Sequence, residues 1–306
     1  MSESSASPSS AASEPRACIV ASIVTAPEPV RIASDGRAAP RESVFRHRAT
    51  TRIWHWFNAL AVFVLLMSGM TIFNAHPRLY WGQAGANFDR PFFEIGGNNQ
   101  MGFVRAGPLR INTTGVLGNW QDAKGVTRHY AFPDWATLPS DYSLALARRW
   151  HLFFAWILGL GITSYLVLSL INRHLDRDLL PAASELSPRH LWHEIRNHAR
   201  LRFPTGAAAA RYNSLQKISY ASVLLVLLPV IVLTGLTMSP GMNAAWPWLL
   251  DLFGGRQSAR SLHFIAASLI ALFIVVHLLM VVLAGPINEI RSMITGRYRL
   301  PPERAA

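Results

Sequence analysis

The stretch "SLHFIAASLIALFIVVHLLMVV", Ser261–Val282, contains no charged residue yet holds two histidines, His263 and His277. A helix of about 20 apolar residues crosses the hydrocarbon core of a bilayer. Histidine is costly there and marks function by default. The two rings are fourteen positions apart. At 1.5 Å rise per residue that is about 21 Å along the axis, and at 3.6 residues per turn the rings lie about 40° from a shared face. One side of this helix therefore presents an imidazole at each of two depths.

Three more uncharged apolar runs occupy 53–73, 150–171 and 218–238, and the run around the opening stretch covers 262–283. Four such runs in 306 residues do not fit a soluble core. They predict an all-α integral membrane protein, a bundle of four transmembrane helices. Cys18 is the single cysteine, so the chain has no disulfide frame, no thiolate iron–sulfur site and no CxxCH for covalent haem.

The net charge is +12, and its placement sets a topology. Arg41, Arg46, Arg48 and Arg52 precede the first run, a basic 172–217 loop joins the second and third, and Arg291, Arg297 and Arg299 follow the fourth. Basic residues stay on the cytoplasmic side, which puts both termini and the 172–217 loop in the cytoplasm. The 74–149 link then lies outside, with Arg148 and Arg149 as its local exception. Its Gly, Pro and aromatic content reads as a packed periplasmic cap. Residues 1–40 are rich in Ser, Ala and Pro and read as a disordered tail. The bundle domain covers 41–300, and 301–306 is a short tail. Residues 187–201 read as an amphipathic helix. No internal repeat is evident.

Four histidines lie in the runs: His55, His151, His263 and His277. With both termini inside, His55 and His277 fall near the cytoplasmic face and His151 and His263 near the outer one, so each has a partner at its own depth. Two imidazoles facing across a bundle suit bis-histidine iron, and haem b needs no cysteine. The pattern gives two b haems, His55 with His277 on the cytoplasmic side and His151 with His263 on the periplasmic side. Gly69 falls at the outer level and could give porphyrin clearance, as could Gly159 and Gly161. Arg52, Arg149 and Arg260 stand two or three residues before a histidine and are candidates for propionate contacts. His193, Glu194 and His198 miss the HExxH spacing by one residue, and His193 and His198 are expected to face water or lipid headgroups.

Over about 46–300, "RIWHWFNALAVFVLLMSG", "RRWHLFFAW" and "HFIAASLIALFIVVH" resemble the bacterial di-haem cytochrome b family. That is the b561-like group with the membrane subunits of nickel–iron hydrogenases, formate dehydrogenases and thiosulfate-reductase-like complexes. The resemblance implies that spans one and four ligate the cytoplasmic haem, and spans two and four the outer one. "RYNSLQK", 211–217, is similar to a quinone-side segment of formate dehydrogenase subunits, which makes Asn213 and Gln216 quinone candidates. Leu215 replaces a glycine of that form, and a polar helix cap is the other reading of the pair. "IFNAHPRLYWG" and "FPDWATLP" resemble a subgroup paired with periplasmic molybdenum-cofactor oxidoreductases. The expected role is electron transfer between such a partner and quinone in the bacterial inner membrane, as a subunit rather than a stand-alone enzyme. A proton-relay or transport protein and a haem-free membrane anchor are the rival readings.

Overall fold

The structure, a computed structural model, describes residues 43–86, 88–172, 180–200 and 213–300. The tails at 1–40 and 301–306 and parts of the 172–217 loop, with Arg173, Arg177, Arg202 and Arg211, lie outside the described residues.

Four helices are long and apolar enough to cross a membrane: Ala49–Asn74, Leu144–Ile171, Ser214–Met238 and Arg256–Ala284. They contain the four apolar runs and extend them, chiefly at the N-terminal ends, by up to one or two turns of polar or basic residues. The helix starts have physical causes. Ser143 Oγ accepts from the Leu146 N–H at span two. Gly255, with φ of 113°, opens span four, and Gly285, at 109°, closes it ahead of Pro286. Span three is not regular throughout, for a π turn at Val223–Leu227 interrupts it.

Span one packs on span two, and span three on span four. Buried positions in the spans are mostly small or hydroxylic: Ala61, Ser68, Thr71, Ser169, Thr234, Thr237, Ser261 and Ala266. Large residues such as Leu160, Leu170 and Val275 are exposed. That is the packing of a bundle in lipid, where small residues bring backbones together and large apolar ones face the tails.

The 74–149 link carries strands that the helical reading did not assign. β2 (Arg78–Leu79), β3 (Phe93–Gly97), β4 (Gly102–Ala106) and β5 (Leu109–Asn112) form an antiparallel sheet in that order. β6 (Trp120–Gln121) and β7 (Thr127–Arg128) pair separately. A loop crosses β3 so closely that a side chain at Gly97 or at Gly118, whose φ is 75°, would meet the opposing backbone. The cap shares its core with the bundle. Phe73 of span one, Leu79, Ile95 and Ala131 are buried together, with Phe264 of span four against them. On the other side of the bundle β1 (Ser43–Phe45) pairs with β8 (Arg297–Arg299), clasping the two ends of the described chain. The amphipathic helix runs Pro188–Ala199, and a second one, Pro286–Thr295, follows span four.

Two histidine pairs and their supports

Each histidine of span four meets a histidine of another span. The His151 and His263 rings lie 6.2 Å apart, centre to centre, with planes at 60°. The His55 and His277 rings lie 6.3 Å apart at 54°. The first pair is on the cap side: the Leu138 N–H of the cap donates to the Met67 carbonyl of span one, and Ser261 Oγ, two residues before His263, donates to the Tyr80 carbonyl. The second is on the side of the β1–β8 clasp, where Trp56 Nε1 donates to the Met293 carbonyl. The depth argument made the same two pairs from charge and spacing.

The cap-side pair is supported in duplicate. Ser68 Oγ lies 3.0 Å from His151 Nδ1, and Thr234 Oγ1 lies 3.1 Å from His263 Nδ1. Each hydroxyl has one proton. Ser68 gives its proton to the Val64 carbonyl at 2.6 Å, and Thr234 gives its own to the Val230 carbonyl at 2.6 Å. Both oxygens therefore accept from the imidazoles, so Nδ1 carries the hydrogen and Nε2 keeps its lone pair. The next residue on each helix is glycine. A Cβ on Gly69 would lie 3.4 Å from His151 Cε1, and one on Gly235 would lie 3.4 Å from His263 Cε1.

These supports expose a repeat that the sequence reading missed. "MSGMT" at 67–71 in span one and "LTGLT" at 233–237 in span three do the same work on spans two and four. Hydroxyl, glycine and threonine fall at equivalent places. Ser68, Thr234 and Gly235 were legible only as that short echo, because Met exchanges with Leu and Ser with Thr. The other pair has no such support. His55 Nδ1 is buried without a hydrogen-bond partner, and His277 stacks on Phe273 at 5.8 Å.

Other candidates land differently. Gly69 touches His151, as its level predicted. Gly161 instead makes room for the Trp54 ring, and Gly159 faces Val232, so both serve helix packing. Arg260 Nη2 donates to the His76 carbonyl. Arg52 Nη1 donates to the Ile294 carbonyl, while its Nε is buried without a partner. Arg149 is exposed. Asn213 and Gln216 cap span three: Asn213 Oδ1 accepts from the Gln216 N–H at 2.8 Å, and Gln216 Oε1 from the Asn213 N–H at 3.3 Å. The cap reading of this pair is thus the one in which their side chains are engaged. His198 is half-buried, and its Nε2 lies 3.1 Å from Asn213 Nδ2. His190 Nε2 likewise lies 2.9 Å from Ser214 Oγ. Together they seat the amphipathic helix on the start of span three.

Outside the spans, the Glu94 hydrogen bond raises the pKa of Arg78. Burial, then Arg260 and Arg78, lower that of His76. Among the described residues no group of three or more His, Cys, Asp or Glu side chains gathers as a metal site, so the paired imidazoles are the donor sets on offer.

Sequence comparison agrees with this architecture. A putative protein-methionine-sulfoxide reductase subunit, YedZ1, of Azospira oryzae is 26% identical over 253 residues, 82% of this chain and 96% of its own length. A probable Ni/Fe-hydrogenase B-type cytochrome subunit of Cupriavidus necator is 21% identical over 281 residues, 87% of this chain and 91% of its own. A protein of the same description from Rhizobium leguminosarum is 40% identical over 52 residues, 17% of this chain and 21% of its own. No solved structure matches. The sequence model of the prokaryotic cytochrome b561 family matches residues 46–296, and the chain belongs to that family of multi-pass membrane haem-b proteins of electron transfer.

Proposed function

We propose that the chain holds two b haems, one above the other, and carries electrons between a periplasmic redox enzyme and the quinone pool. His151 and His263 would hold the cap-side haem, and His55 and His277 the other. One observation carries the reading, the spacing of the two pairs. A metal–nitrogen bond is about 2 Å, and the centre of an imidazole lies about 1 Å beyond its nitrogen. One iron between two rings therefore needs centres about 6 Å apart, against 6.2 and 6.3 Å found. The bare Nε2 of the cap-side rings is the donor such a site requires, and Gly69 and Gly235 keep bulk off them.

Haem supplies a one-electron carrier when bound. The chain's part is to fix the ligands at two depths and bury them. Arg52, whose Nε is buried without a partner, is the propionate candidate with a donor to spare. The partner would sit on the cap, whose core runs into spans one and four beside His263. The named relatives include a methionine-sulfoxide reductase subunit and hydrogenase cytochrome subunits. They favour a redox enzyme as partner, and the cap motifs favour one of molybdenum-cofactor type. Charge placement favours both termini in the cytoplasm. The relay reading lacks its chemistry, since the four spans contain no Asp or Glu to pass protons among.

The test is haem content with a reduced-minus-oxidised spectrum of the purified chain. Two haems per chain are expected, and His263→Ala and His277→Ala should each remove one. Full haem content in both variants, or none in the wild type, would sink the proposal.

A further inference from the structure

The two histidine pairs match in spacing but not in surroundings. On the cap side both Nδ1–H groups are held by a buried hydroxyl, at 3.0 and 3.1 Å. Ser68 and Thr234 are fully buried, and each is itself tied to its own helix by a 2.6 Å bond to the carbonyl four residues back. Neither oxygen can turn away without losing that bond. On the other side His55 Nδ1 has no acceptor.

A hydrogen bond from Nδ1 makes the imidazole a more electron-rich ligand through Nε2. Oxidised iron carries one more positive charge than reduced iron, so an electron-rich ligand favours the oxidised state and lowers the reduction potential. Resting on the haem reading above, we propose that Ser68 and Thr234 are positioning residues which lock the His151 and His263 tautomers and make the cap-side haem the lower-potential one. An electron arriving from the cap then moves toward the higher potential as it crosses to the His55–His277 level. The repeat supports a paired role. Both hydroxyls sit at the same place in "MSGMT" and "LTGLT", each one residue before the glycine that touches the same ring.

Redox titration of the purified full chain tests this, followed at the α-band and fitted to two one-electron components. Ser68→Ala and Thr234→Ala should raise the same component, the lower one. The expected shift is about a threefold to tenfold change in the oxidised-to-reduced ratio, tenfold being about 59 mV for one electron. Ser68→Thr and Thr234→Ser keep a hydroxyl and should leave the potential within about twofold of wild type in that ratio. If an alanine variant loses one haem while its swapped counterpart keeps both, the positioning role is also supported. Loss in the swapped variants too would assign the effect to packing and overturn it. No shift, a shift of the upper component, or equal shifts of both, in protein carrying two haems, would overturn the inference while leaving the haem reading intact. Haem retained in the histidine variants would instead remove the reading beneath it.

Discussion

Four glycine-to-alanine changes in the spans should rank by what the new methyl meets. Alanine gains about 1 kcal/mol over glycine in a helix interior. At Gly159 the added Cβ lies 3.8 Å from Val232 Cγ1, an ordinary contact, so Gly159→Ala should be neutral or stabilise by up to about 1 kcal/mol. At Gly69 and Gly235 the Cβ lies 3.4 Å from an imidazole carbon, and the ring must give by a few tenths of an ångström. Overpacking costs about 1–3 kcal/mol, so after the helical gain each change should destabilise by about 0–2 kcal/mol. At Gly161 the Cβ runs into the Trp54 ring. That ring cannot slide off easily, because it stacks on Tyr165 at 5.7 Å with planes 3° apart, one turn along the same helix. Gly161→Ala should therefore cost the most, about 2–3 kcal/mol. Thermal unfolding of the four variants in detergent reads the order, and haem content separates the classes. Gly69→Ala and Gly235→Ala should weaken haem retention more than their stability loss alone, whereas Gly161→Ala should unfold early without singling out one haem. If Gly159→Ala were the worst, or if Gly69 and Gly235 behaved unlike each other, the packing argument and the repeat would both fail.

Glu94 is buried and bridges Arg78 at 2.7 Å and Arg105 at 2.6 Å. Both arginines are about a third exposed, so Glu94→Gln should cost about 2 kcal/mol, less than a fully buried pair, and limited proteolysis should show the cap cut first. Asn74 closes span one against the cap, donating to the Phe132 carbonyl at 3.1 Å and accepting from its N–H at 2.8 Å. Asn74→Ala leaves both groups unpaired and should lower stability by about 1–3 kcal/mol, read as an earlier thermal midpoint. His47 lies outside the spans, and burial, then Arg46, hold its pKa at about 4, against the usual 6.5. The unfolded chain takes up that proton below 6.5 and the folded one only near 4. Stability is thus full above pH 6.5 and falls as the pH drops toward 4, by up to about 3 kcal/mol. Thermal midpoints at pH 7 and 5 should converge in His47→Gln, and an unchanged pH dependence there would count against the assignment.

The spans and the histidine partners were legible because both rest on periodicities that lipid enforces. A helix must be long and apolar to cross, and a costly side chain within it must find company. The sheet in the cap was not legible as a sheet. β3 reads "FEIGG" and β5 "LRIN", the first ending in two glycines and both too short to alternate clearly. The loop that crosses β3 depends on the Gly97 and Gly118 backbones approaching within contact, which composition does not announce. Asn213 and Gln216 show the opposite difficulty. A capping box and a ligand site use the same residue types, and only the observed bonds show that this pair closes a capping box. The extension of span four back to Arg256 has a similar origin. Its first turns, "RQSARS", are polar because they carry the cap, with Ser258 and Ser261 bonded to Gly82 and Tyr80.

The repeat also explains why two equal spacings make unequal sites. Spans one and two correspond to spans three and four, with His151 in the place of His263. Counting fourteen residues on from each arrives at Tyr165 in one half and His277 in the other. The cap-side pair thus joins equivalent residues and inherits equivalent supports. The other pair cannot, because its partner His55 lies on span one, where no hydroxyl reaches its Nδ1. Tyr165 stacks instead on Trp54, the neighbour of His55, and the π turn in span three breaks the register between the halves on this side of the bundle. A duplicated helix pair would give like sites at every level if it stayed symmetric. Here the symmetry holds at one depth and is lost at the next, and that loss separates the two environments an electron would cross.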